Sequence, residues 1–481
     1  MKPLYLGLLG AALAAAAPAL GQKAPAKKPA AAAAQAPAPA KETPPAGGTP
    51  RDFALPAKEE FALDNGLQAK LVPFGQVPKV TMLVTIQAGN VHEPQGQVGI
   101  ADVLARLLRE GTSQLSAAEL AARVARMGGT LDISVGPDQT QLWASCLSEY
   151  APEMATLLAQ VVRQPSLPAA ELPRIRTDFK RRMNLLRAEP GFQARMKFQQ
   201  AIYGNHPYGR PLPTDAQIDA LTLEQAKAFY DKEYGAQRTA VFAAGRFDAP
   251  ALRQAITTAW REWPQGPAPR IEIAKAQTRP ELLTQDRPGA PQSTLILGMP
   301  VVDPSHPDYI RLRVMNSLLG GSFGSRITRN IREDKGYTYS PYSYLDVNYR
   351  TATWQQNADV TTQQTGNSLK EVMYEVERLQ KTPPTAEELK GIQNYESGLF
   401  VLRNSTPGGI ISQLNTLHLH GLPESYLTEQ VKNINAVTPQ QVSETTRKYV
   451  RPEAMTIVVV GDKKVVEPQL KKFQASRKKA L

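Results

Sequence analysis

Asp102, Ala105 and Arg106 occupy the positions of this sequence where a metal centre would be simplest to build. Their i, i+3, i+4 spacing places the side chains on one face of a helix, where two histidines and a glutamate could bind Zn²⁺ and activate a water molecule. Arginine cannot lose its proton to ligate a metal, and alanine can neither ligate a metal nor accept a proton. The residue types at these three positions therefore indicate that this helix face does not bind a metal ion.

The helix that carries these residues is predicted to be amphipathic. Its apolar residues recur at the spacing of one buried helical face, and they are Ile100, Val103, Leu104, Leu107 and Leu108. Asp102, Ala105 and Arg106 lie on the opposite face. The segment Val98–Thr112 thus predicts a helix that packs on a core and presents these three positions outward.

The residues around this helix match the frame of an inverted zinc-peptidase motif, H-x-x-E-H. Gly99 precedes the helix, the small Ala101 lies in its first turn, and Gly111-Thr112 closes it. With these residues the chain resembles the pitrilysin/insulinase family of metallopeptidases, in particular the non-catalytic subunit of its two-chain, processing-peptidase-like members. In that family a glutamate further along the chain is the third ligand, and the matching stretch here, Arg174–Arg187, has Asp178 as its only carboxylate. The resemblance therefore implies the loss of all three ligands and of the catalytic base.

A second signature of the same family, of the form L-G-G-x…R-E…G-x-x-Y, lies in the second half of the chain. Its residues here are Gly320, Gly321, Arg332, Glu333, Gly336 and Tyr339. The resemblance implies that Arg332 and Tyr339 hold the backbone carbonyl of a substrate peptide, and a guanidinium and a phenol are suitable donors to a developing oxyanion. The alternative is a solvated helix end at Arg332 and Glu333 with a strand residue at Tyr339. Tyr337 and Tyr342 are further aromatics that could contact a peptide.

The remaining motifs indicate no other chemistry. The segment Asn205–Pro213 resembles the family's H-P-Y-G-R segment, and its His206 is predicted to hydrogen-bond to the backbone. His418 and His420 form a weak pair that could ligate a metal, with surface or packing histidines as the alternative. The glycine-rich run Leu319–Arg326 is not followed by G-K-[ST], so it does not predict a phosphate-binding loop. No nucleophile motif of the form G-x-S-x-G is predicted at a strand-to-helix turn.

Length and composition indicate a globular protein of two or more domains. The chain has 481 residues, 42% of them hydrophobic and 21% charged. The formal charge of +12 could favour acidic partners, but lysines of the N-terminal segment and the C-terminal tail hold part of it. No nucleic-acid motif accompanies this charge, so we expect a solvated basic surface and no nucleic acid binding. The single Cys146 can form no internal disulfide and is predicted to be buried.

The N-terminal residues predict export. Residues 1–21 contain a lysine followed by an apolar run, which is typical of a signal peptide cleaved before Gln22. Residues 22–52 are rich in alanine and proline and predict a disordered tether. The expected location is the periplasm or the cell exterior, with no transmembrane segment after signal removal. A retained membrane anchor is the alternative, although the run is short and weakly apolar for a spanning helix.

The rest of the chain repeats one pattern. A β-rich run at 79–90 leads into a helix, and a second β-rich run at 292–302 does the same. Each half closes with a helix that has an N-terminal threonine cap, Thr222 or Thr438, and with the strand that follows it. This predicts an α+β fold of two similar units. The resemblance implies two α/β sandwich domains of the metallopeptidase/LuxS-like fold, arranged as a clamshell. The predicted boundaries are an N-terminal domain at 53–263, a linker at 264–291, a C-terminal domain at 292–470 and a basic tail at 471–481.

Three hypotheses for the function follow from these residues. The first is a catalytically incomplete subunit that pairs with a zinc-bearing homologue and contributes Arg332 and Tyr339 to a shared chamber for peptides or unfolded chains. The second is an envelope scaffold or peptide-binding protein with no role in cleavage. The third is an autonomous metallopeptidase with unrecognised ligands. Under the first hypothesis this chain holds no cofactor, and zinc is expected only in the partner.

Overall fold

The computed structural model describes residues 53–480. The predicted signal peptide and tether lie outside this range. In the first half, the apolar periodicities of the sequence form six strands and eight helices, which are β1 (Glu59–Ala62), β2 (Gln68–Pro73), β3 (Lys79–Ile86), α1 (Ile100–Leu107), α2 (Ala117–Arg126), β4 (Thr130–Val135), β5 (Thr140–Leu147), α3 (Ala151–Arg163), α4 (Leu172–Ala188), α5 (Pro190–Tyr203), α6 (Asp215–Ala220), α7 (Leu223–Glu233), β6 (Thr239–Gly245) and α8 (Ala249–Trp260).

The described part of the second half contains five strands and nine helices. They are β7 (Leu282–Asp286), β8 (Gln292–Val301), α9 (Tyr309–Asn316), α10 (Arg326–Thr328), β9 (Tyr342–Asn348), β10 (Thr351–Thr361), α11 (Thr365–Lys381), α12 (Ala386–Arg403), α13 (Pro407–His420), α14 (Ser425–Thr428), α15 (Gln430–Asn435), α16 (Pro439–Tyr449), β11 (Thr456–Gly461) and α17 (Lys463–Ala480).

The two sheets have the same topology, which confirms the predicted α+β class and the internal repeat. The first sheet has the strand order β1-β2-β6-β3-β5-β4, and the second has the order β7-β11-β8-β10-β9. In each sheet one parallel pair, β2 with β6 or β7 with β11, is followed by antiparallel neighbours. Without the additional β1, the two sheets match strand for strand in chain order.

The closing helix of each half begins as the sequence predicts. Thr222 accepts a hydrogen bond from the backbone N–H of Gln225, whose side chain in turn accepts from the backbone of Thr222. Thr438 and Gln441 form the same reciprocal pair at the start of α16. Each pair satisfies two backbone donors that the first helical turn would leave free.

Each sheet buries one face under helices of its own half. Met82 of β3, Leu104 of α1 and Leu158 of α3 belong to the first core. The second core includes Trp354 of β10 and Leu312 of α9. These large apolar side chains are removed almost completely from water, and their burial is the main stabilising term for each half.

The opposite face of each sheet is covered by a helix from the other half of the chain. Phe198 of α5 packs against Ile296 and Val458 of the second sheet, and a Cβ at Gly298 would lie only 2.8 Å from its ring. In return, Leu414 of α13 packs against the first sheet in a cluster with Leu83 and Phe242. The two halves therefore exchange helices, and this exchange fixes them as one body.

The structure differs from the predicted boundaries at two places. Leu282–Asp286, inside the predicted linker, forms strand β7, because its two leucines allow it to pair in parallel with β11. The predicted basic tail continues α17, which packs on the second core through Phe473. Among residues 53–480, no helix is both long and apolar enough to cross a lipid bilayer.

Candidate functional site

The N-terminus of α1 is fixed by contacts that only a few residue types permit. Gly99 has φ +93°, and a Cβ at this position would lie 2.6 Å from Cε1 of Phe179 on α4. The buried Glu93 accepts a hydrogen bond from the backbone N–H of Ala101 at 3.1 Å. A carboxylate at the start of a helix satisfies a free donor and interacts favourably with the helix dipole. The helix is therefore held in place at its first turn although the zinc ligands are absent.

Asp102 lies next to a second buried carboxyl group. The side-chain amide of Asn90 donates to Asp102 Oδ2 at 3.1 Å and to Glu93 Oε1 at 3.2 Å. Burial raises the pKa of Asp102, and the hydrogen bond from Asn90 offsets part of this effect. Burial also raises the pKa of Glu93 to about 7. Asp102 is thus part of a hydrogen-bonded network at the base of α1.

The other two positions of the motif offer no ligand. The side chain of Ala105 is buried, and the Arg106 guanidinium lies over the ring of Phe179, 5.5 Å from its centroid. Arg106, Asp178 and Arg182 line one cavity together with Asp102. The guanidinium groups cannot ligate Zn²⁺, and no histidine or cysteine lines this cavity beside its carboxyl groups. Among the described residues, no group of three or more His, Cys, Asp or Glu side chains could hold a metal ion.

The Asn205–Pro213 segment packs beside this motif. Tyr208 donates its hydroxyl hydrogen bond to Asp138, and Arg210 donates to the backbone carbonyl of Glu93 at 2.8 Å. Asp102 and this segment line a cavity of about 210 Å³. His206 accepts from the backbone N–H of Tyr208 at 3.3 Å, and its other ring nitrogen contacts the carbonyl of Glu272, as the sequence predicts. The segment therefore supports the wall of the degenerate site.

The second signature is built around two π-helical turns. Ser317–Gly321 and Arg329–Asp334 both have this wider geometry, and in the second turn Lys335 donates its N–H to the carbonyl of Asn330 at 3.1 Å. Such turns are rare and occur frequently at functional sites. Arg332 lies on the second of these turns.

Arg332 and Tyr339 lie together at the surface. The guanidinium carbon of Arg332 is 5.3 Å from the centroid of the Tyr339 ring and 4.1 Å from that of Phe323. Tyr339 is 80% exposed and Phe323 is 72% exposed. Tyr339 follows the π-helical turn in a bend before β9, so it is not the strand residue of the alternative interpretation. The arrangement places an exposed phenol beside a guanidinium whose side chain is 21% exposed.

Close packing requires two glycines of this signature, and backbone conformation requires the third. A Cβ at Gly320 would lie 2.5 Å from Oε1 of Gln356, and a Cβ at Gly321 would lie 2.5 Å from Nδ2 of Asn316. Gly336 has φ +63°, a backbone conformation that other residues rarely adopt. These glycines let the first π-helical turn approach β9 and let the chain reverse before Tyr339.

The neighbouring residues of the signature have different roles. Glu333 is exposed and pairs with Nε of Arg332 at 3.5 Å. Tyr337 packs against the second core, which leaves it little surface for a peptide. Tyr342 is 48% exposed and stacks on Tyr344. Tyr342 thus remains available for contacts, whereas Tyr337 has mainly a packing role.

The degenerate motif and the Arg332–Tyr339 pair do not share a cavity. The two cavities that Asp102 lines include neither Arg332 nor Tyr339. Phe323 instead lines a separate cavity of about 740 Å³ beside α12. The chain therefore carries the two signatures at different places on its surface.

The other singled-out residues have packing roles. His418 packs with its ring edge against Phe242, and burial lowers the pKa of His418 to about 4. His420 stacks on Tyr349. Both histidines lie on α13, where their two-residue offset directs the rings apart. Cys146 is buried on β5, as predicted, and burial raises the pKa of its thiol to about 11.

Three residues of these sites had no signal in the sequence analysis. Phe323 contacts Arg332 from within the glycine-rich run, and the sequence shows only that an aromatic residue lies in that run. Arg182 joins Arg106 at one cavity only because α4 packs beside α1. Asn90 bridges two carboxyl groups through contacts that depend on the tertiary structure.

Comparisons with known proteins agree with this geometry. The model of the insulinase family, peptidase family M16, matches residues 75–216, and that of the peptidase M16 inactive domain matches residues 220–395. The non-peptidase homolog YmxG of Helicobacter pylori is 23% identical over 392 residues, which cover 79% of this chain and 88% of that protein. The uncharacterized zinc protease YmxG of Bacillus subtilis is 25% identical over 395 residues, which cover 81% of this chain and 95% of that protein.

Among solved structures, the peptidase M16 inactive domain from Pseudomonas fluorescens has a TM-score of 0.76 at 24% identity. The match covers 84% of this chain and 98% of that one, so the two share a fold across both sheets. The two family models match in tandem, and the H-x-x-E-H frame falls on α1 without its ligands. The chain therefore belongs to the insulinase (M16) family of peptidases, as a homologue that lacks the family's zinc-binding residues.

Proposed function

We propose that this chain is an exported, catalytically incomplete subunit that pairs with a zinc-bearing homologue. In the complex it contributes Arg332 and Tyr339 to a shared chamber in which a peptide or an unfolded polypeptide is cleaved. The predicted location is the periplasm or the cell exterior. Zinc belongs to the partner, and this chain by itself binds no metal and has no peptidase activity.

The observation that carries the proposal is the contrast between the two signatures. The positions of the zinc ligands and the base hold Asp102, Ala105 and Arg106, whereas Arg332 and Tyr339 lie together, with the phenol almost fully exposed. If two chains divide the work, the chain that does not bind zinc can keep the substrate-binding signature and lose the zinc-binding one. The relative in Helicobacter pylori is described as a non-peptidase homolog, which supports the same assignment here.

The chemistry proposed for the pair is transition-state stabilisation. When a peptide carbonyl is attacked, negative charge develops on its oxygen, and donors already oriented toward that position lower the barrier. The guanidinium of Arg332 offers several N–H donors, and the phenol of Tyr339 donates one O–H bond. Stacking on Phe323 restricts the otherwise flexible arginine, so less conformational entropy is lost when substrate binds.

The second candidate is an envelope scaffold or peptide-binding protein without a role in cleavage. The same exposed aromatic and cationic side chains could hold a peptide without acting on it. The two candidates differ in whether Arg332 and Tyr339 affect turnover. The autonomous metallopeptidase is not favoured, because no described group of side chains has the composition of a zinc site.

The test is reconstitution with a homologue that retains H-x-x-E-H and an exported N-terminus. Each chain is purified alone and as a mixture, and cleavage of an unstructured fluorogenic peptide is measured alongside the size-exclusion profile. We expect a co-eluting complex and turnover that far exceeds the sum of the separate chains. Co-elution without a gain in turnover would favour the scaffold, and no co-elution with such homologues would contradict the pairing.

A further inference from the structure

A cavity of about 470 Å³ lies beside the degenerate motif of α1, between α1, α4 and β4. Four arginines and four carboxyl residues line it, which are Arg106, Arg109, Arg174, Arg182, Asp102, Glu110, Asp132 and Asp178. β4 is the outermost strand of its sheet, so one edge of its backbone faces away from the other strands. The cavity is therefore lined by charged groups and lies beside the edge strand β4, where the carbonyl of Ile133 accepts a hydrogen bond from Arg109 at 2.5 Å.

Two of the four arginines are already paired. Arg109 contacts Asp132 at 2.5 Å. Arg174 pairs with Glu110 and with Asp178, the latter at 3.5 Å. These contacts engage three of the four carboxylates with two guanidinium groups, which leaves one negative charge in excess among them. The other three charged side chains of the cavity are Arg106, Arg182 and Asp102.

The remaining arginines, Arg106 and Arg182, line the cavity without a direct ion pair among the described residues. Burial lowers the pKa of Arg106, the charges of Asp102 and Asp178 oppose this effect, and the positive charge of Arg182 adds to it. Two guanidinium groups therefore face one cavity with mutual repulsion that a bound anion would relieve.

Asp102 does not supply that anion. It forms no ion pair with either arginine, and its Oδ2 accepts a hydrogen bond from Asn90 on the side of the first helical turn. Burial raises the pKa of Asp102 and so disfavours its charged form, although the hydrogen bond from Asn90 and the charges of Arg182 and Arg106 offset part of this effect. The pair of guanidinium groups thus keeps its capacity to bind an external carboxylate.

We propose that Arg106 and Arg182 bind a carboxylate group of a peptide in this cavity, so that the degenerate metal site serves as an anion-binding subsite. Guanidinium groups match the planar geometry of a carboxylate, and the adjacent edge of β4 offers backbone groups to an extended chain. The carboxylate is either the C-terminus of the peptide or an aspartate or glutamate side chain. The choice of a peptide as ligand rests on the proposed function, whereas the anion site rests on the two arginines.

The test is direct binding to the full mature chain without its partner. Fluorescence polarisation compares two pairs of labelled peptides. The first pair shares one sequence and has either a free or an amidated C-terminus. Both peptides of the second pair are amidated and differ only in one internal residue, which is glutamate or glutamine. We expect a carboxylate-bearing peptide to bind about tenfold more tightly than its neutral counterpart, as for one added charge-assisted hydrogen bond. The pair in which the carboxylate increases the affinity identifies the C-terminal or the side-chain carboxylate as the ligand.

The variants Arg106→Gln and Arg182→Gln should each remove this preference. Arg181→Gln is the matched control, because Arg181 is one residue away on α4, carries the same charge, is 78% exposed and does not line the cavity. Arg182 is itself exposed, so its variant is expected to fold even if loss of the Arg106–Phe179 contact destabilises the other. Thermal melts of all variants check this.

Equal binding of acidic and neutral peptides by the folded wild-type chain would overturn the proposal. Inorganic phosphate that binds as tightly as the acidic peptide would also overturn it, because the site would then recognise an anion without a peptide. The assay is independent of the proposed function, since Arg332→Ala should keep the carboxylate preference. If the wild-type chain showed no carboxylate preference while the reconstituted pair cleaved peptide, the anion site would be refuted and the proposed function would stand.

Discussion

The guanidinium carbon of Arg332 lies 5.3 Å from the centroid of the Tyr339 ring, although the two residues belong to different local structures. Arg332 lies on a π-helical turn, and Tyr339 lies in the bend that precedes β9. Gly336, with φ +63°, reverses the chain between them. This contact places two hydrogen-bond donors of different chemistry at one exposed point of the second half.

The first prediction concerns these two donors. Arg332→Ala or Tyr339→Phe should lower the turnover of the reconstituted complex by about 10²–10³, the usual effect of losing one donor to a developing oxyanion. The measurement is kcat for peptide cleavage, with size-exclusion profiles and the zinc content of the partner as assembly controls. Glu333→Ala should have a much smaller effect, because a carboxylate cannot donate to an oxyanion. Unchanged turnover in both variants, with assembly intact, would leave this chain as a scaffold.

The second prediction concerns Phe323, which orients Arg332 from its other side. Phe323→Leu should lower kcat/KM of the complex by about two- to fivefold, since an exposed cation–π contact contributes roughly 0.5–1 kcal/mol. Tyr374→Leu is the matched control, because it removes another exposed aromatic from the same half of the chain. A loss as large as that of Arg332→Ala would assign Phe323 a direct role in substrate binding.

Local signals in the sequence were sufficient for much of the fold. The Thr222–Gln225 and Thr438–Gln441 caps are encoded within four residues, and the apolar spacing of α1 is read directly from its letters. These features predicted the repeat and the α+β class because each depends on neighbours along the chain. Strand β7 was placed in the linker because five residues with two leucines give little periodicity.

Contacts between distant segments could not be derived in the same way. Phe198 of α5 covers the second sheet rather than its own, and no local pattern specifies which sheet an apolar helix will cover. Arg106 and Arg182 meet at one cavity because α1 packs beside α4. The sequence showed that the metal ligands were lost, but it did not show which side chains now lie together in their place.

The third prediction concerns metal. The purified mature chain should bind no stoichiometric Zn²⁺, because among the described residues no group of three or more His, Cys, Asp or Glu side chains is arranged to hold a metal ion. The triple variant with Asp102→His, Ala105→Glu and Arg106→His should bind zinc only weakly, because the one α4 carboxylate at this cavity, Asp178, is already paired with Arg174 and Arg181. Metal analysis after dialysis measures this, with the zinc-bearing partner as positive control. About one tightly bound zinc per wild-type chain would instead support an autonomous metallopeptidase.

The fourth prediction concerns export. The N-terminus of the mature protein should be Gln22, because residues 1–21 have the composition of a cleaved signal peptide. Intact mass and N-terminal sequencing of protein from the native host measure this directly. A chain that begins at Met1 and fractionates with membranes would show that the apolar run is retained as an anchor.

The final prediction is a pH dependence of stability that originates at His418. Burial, with a smaller contribution from the charge of Lys70, lowers the pKa of His418 from 6.5 in the unfolded chain to about 4. Between these two pKa values the folded protein binds fewer protons than the unfolded chain. The contribution of His418 to the free energy of unfolding is therefore fully present above the unfolded-state pKa and is lost as the pH falls toward the folded-state pKa. The full shift corresponds to a loss on the order of 3 kcal/mol.

His418→Leu should remove this component, because leucine cannot be protonated and can pack against Phe242 in its place. Urea unfolding of the wild type and the variant at several pH values between 7 and the folded-state pKa measures the difference. Leu417→Met is the matched control, since it changes a buried residue of the same helix and keeps the histidine. If the stability of His418→Leu declined with acid as steeply as that of the control, His418 would not be the group that links protonation to unfolding.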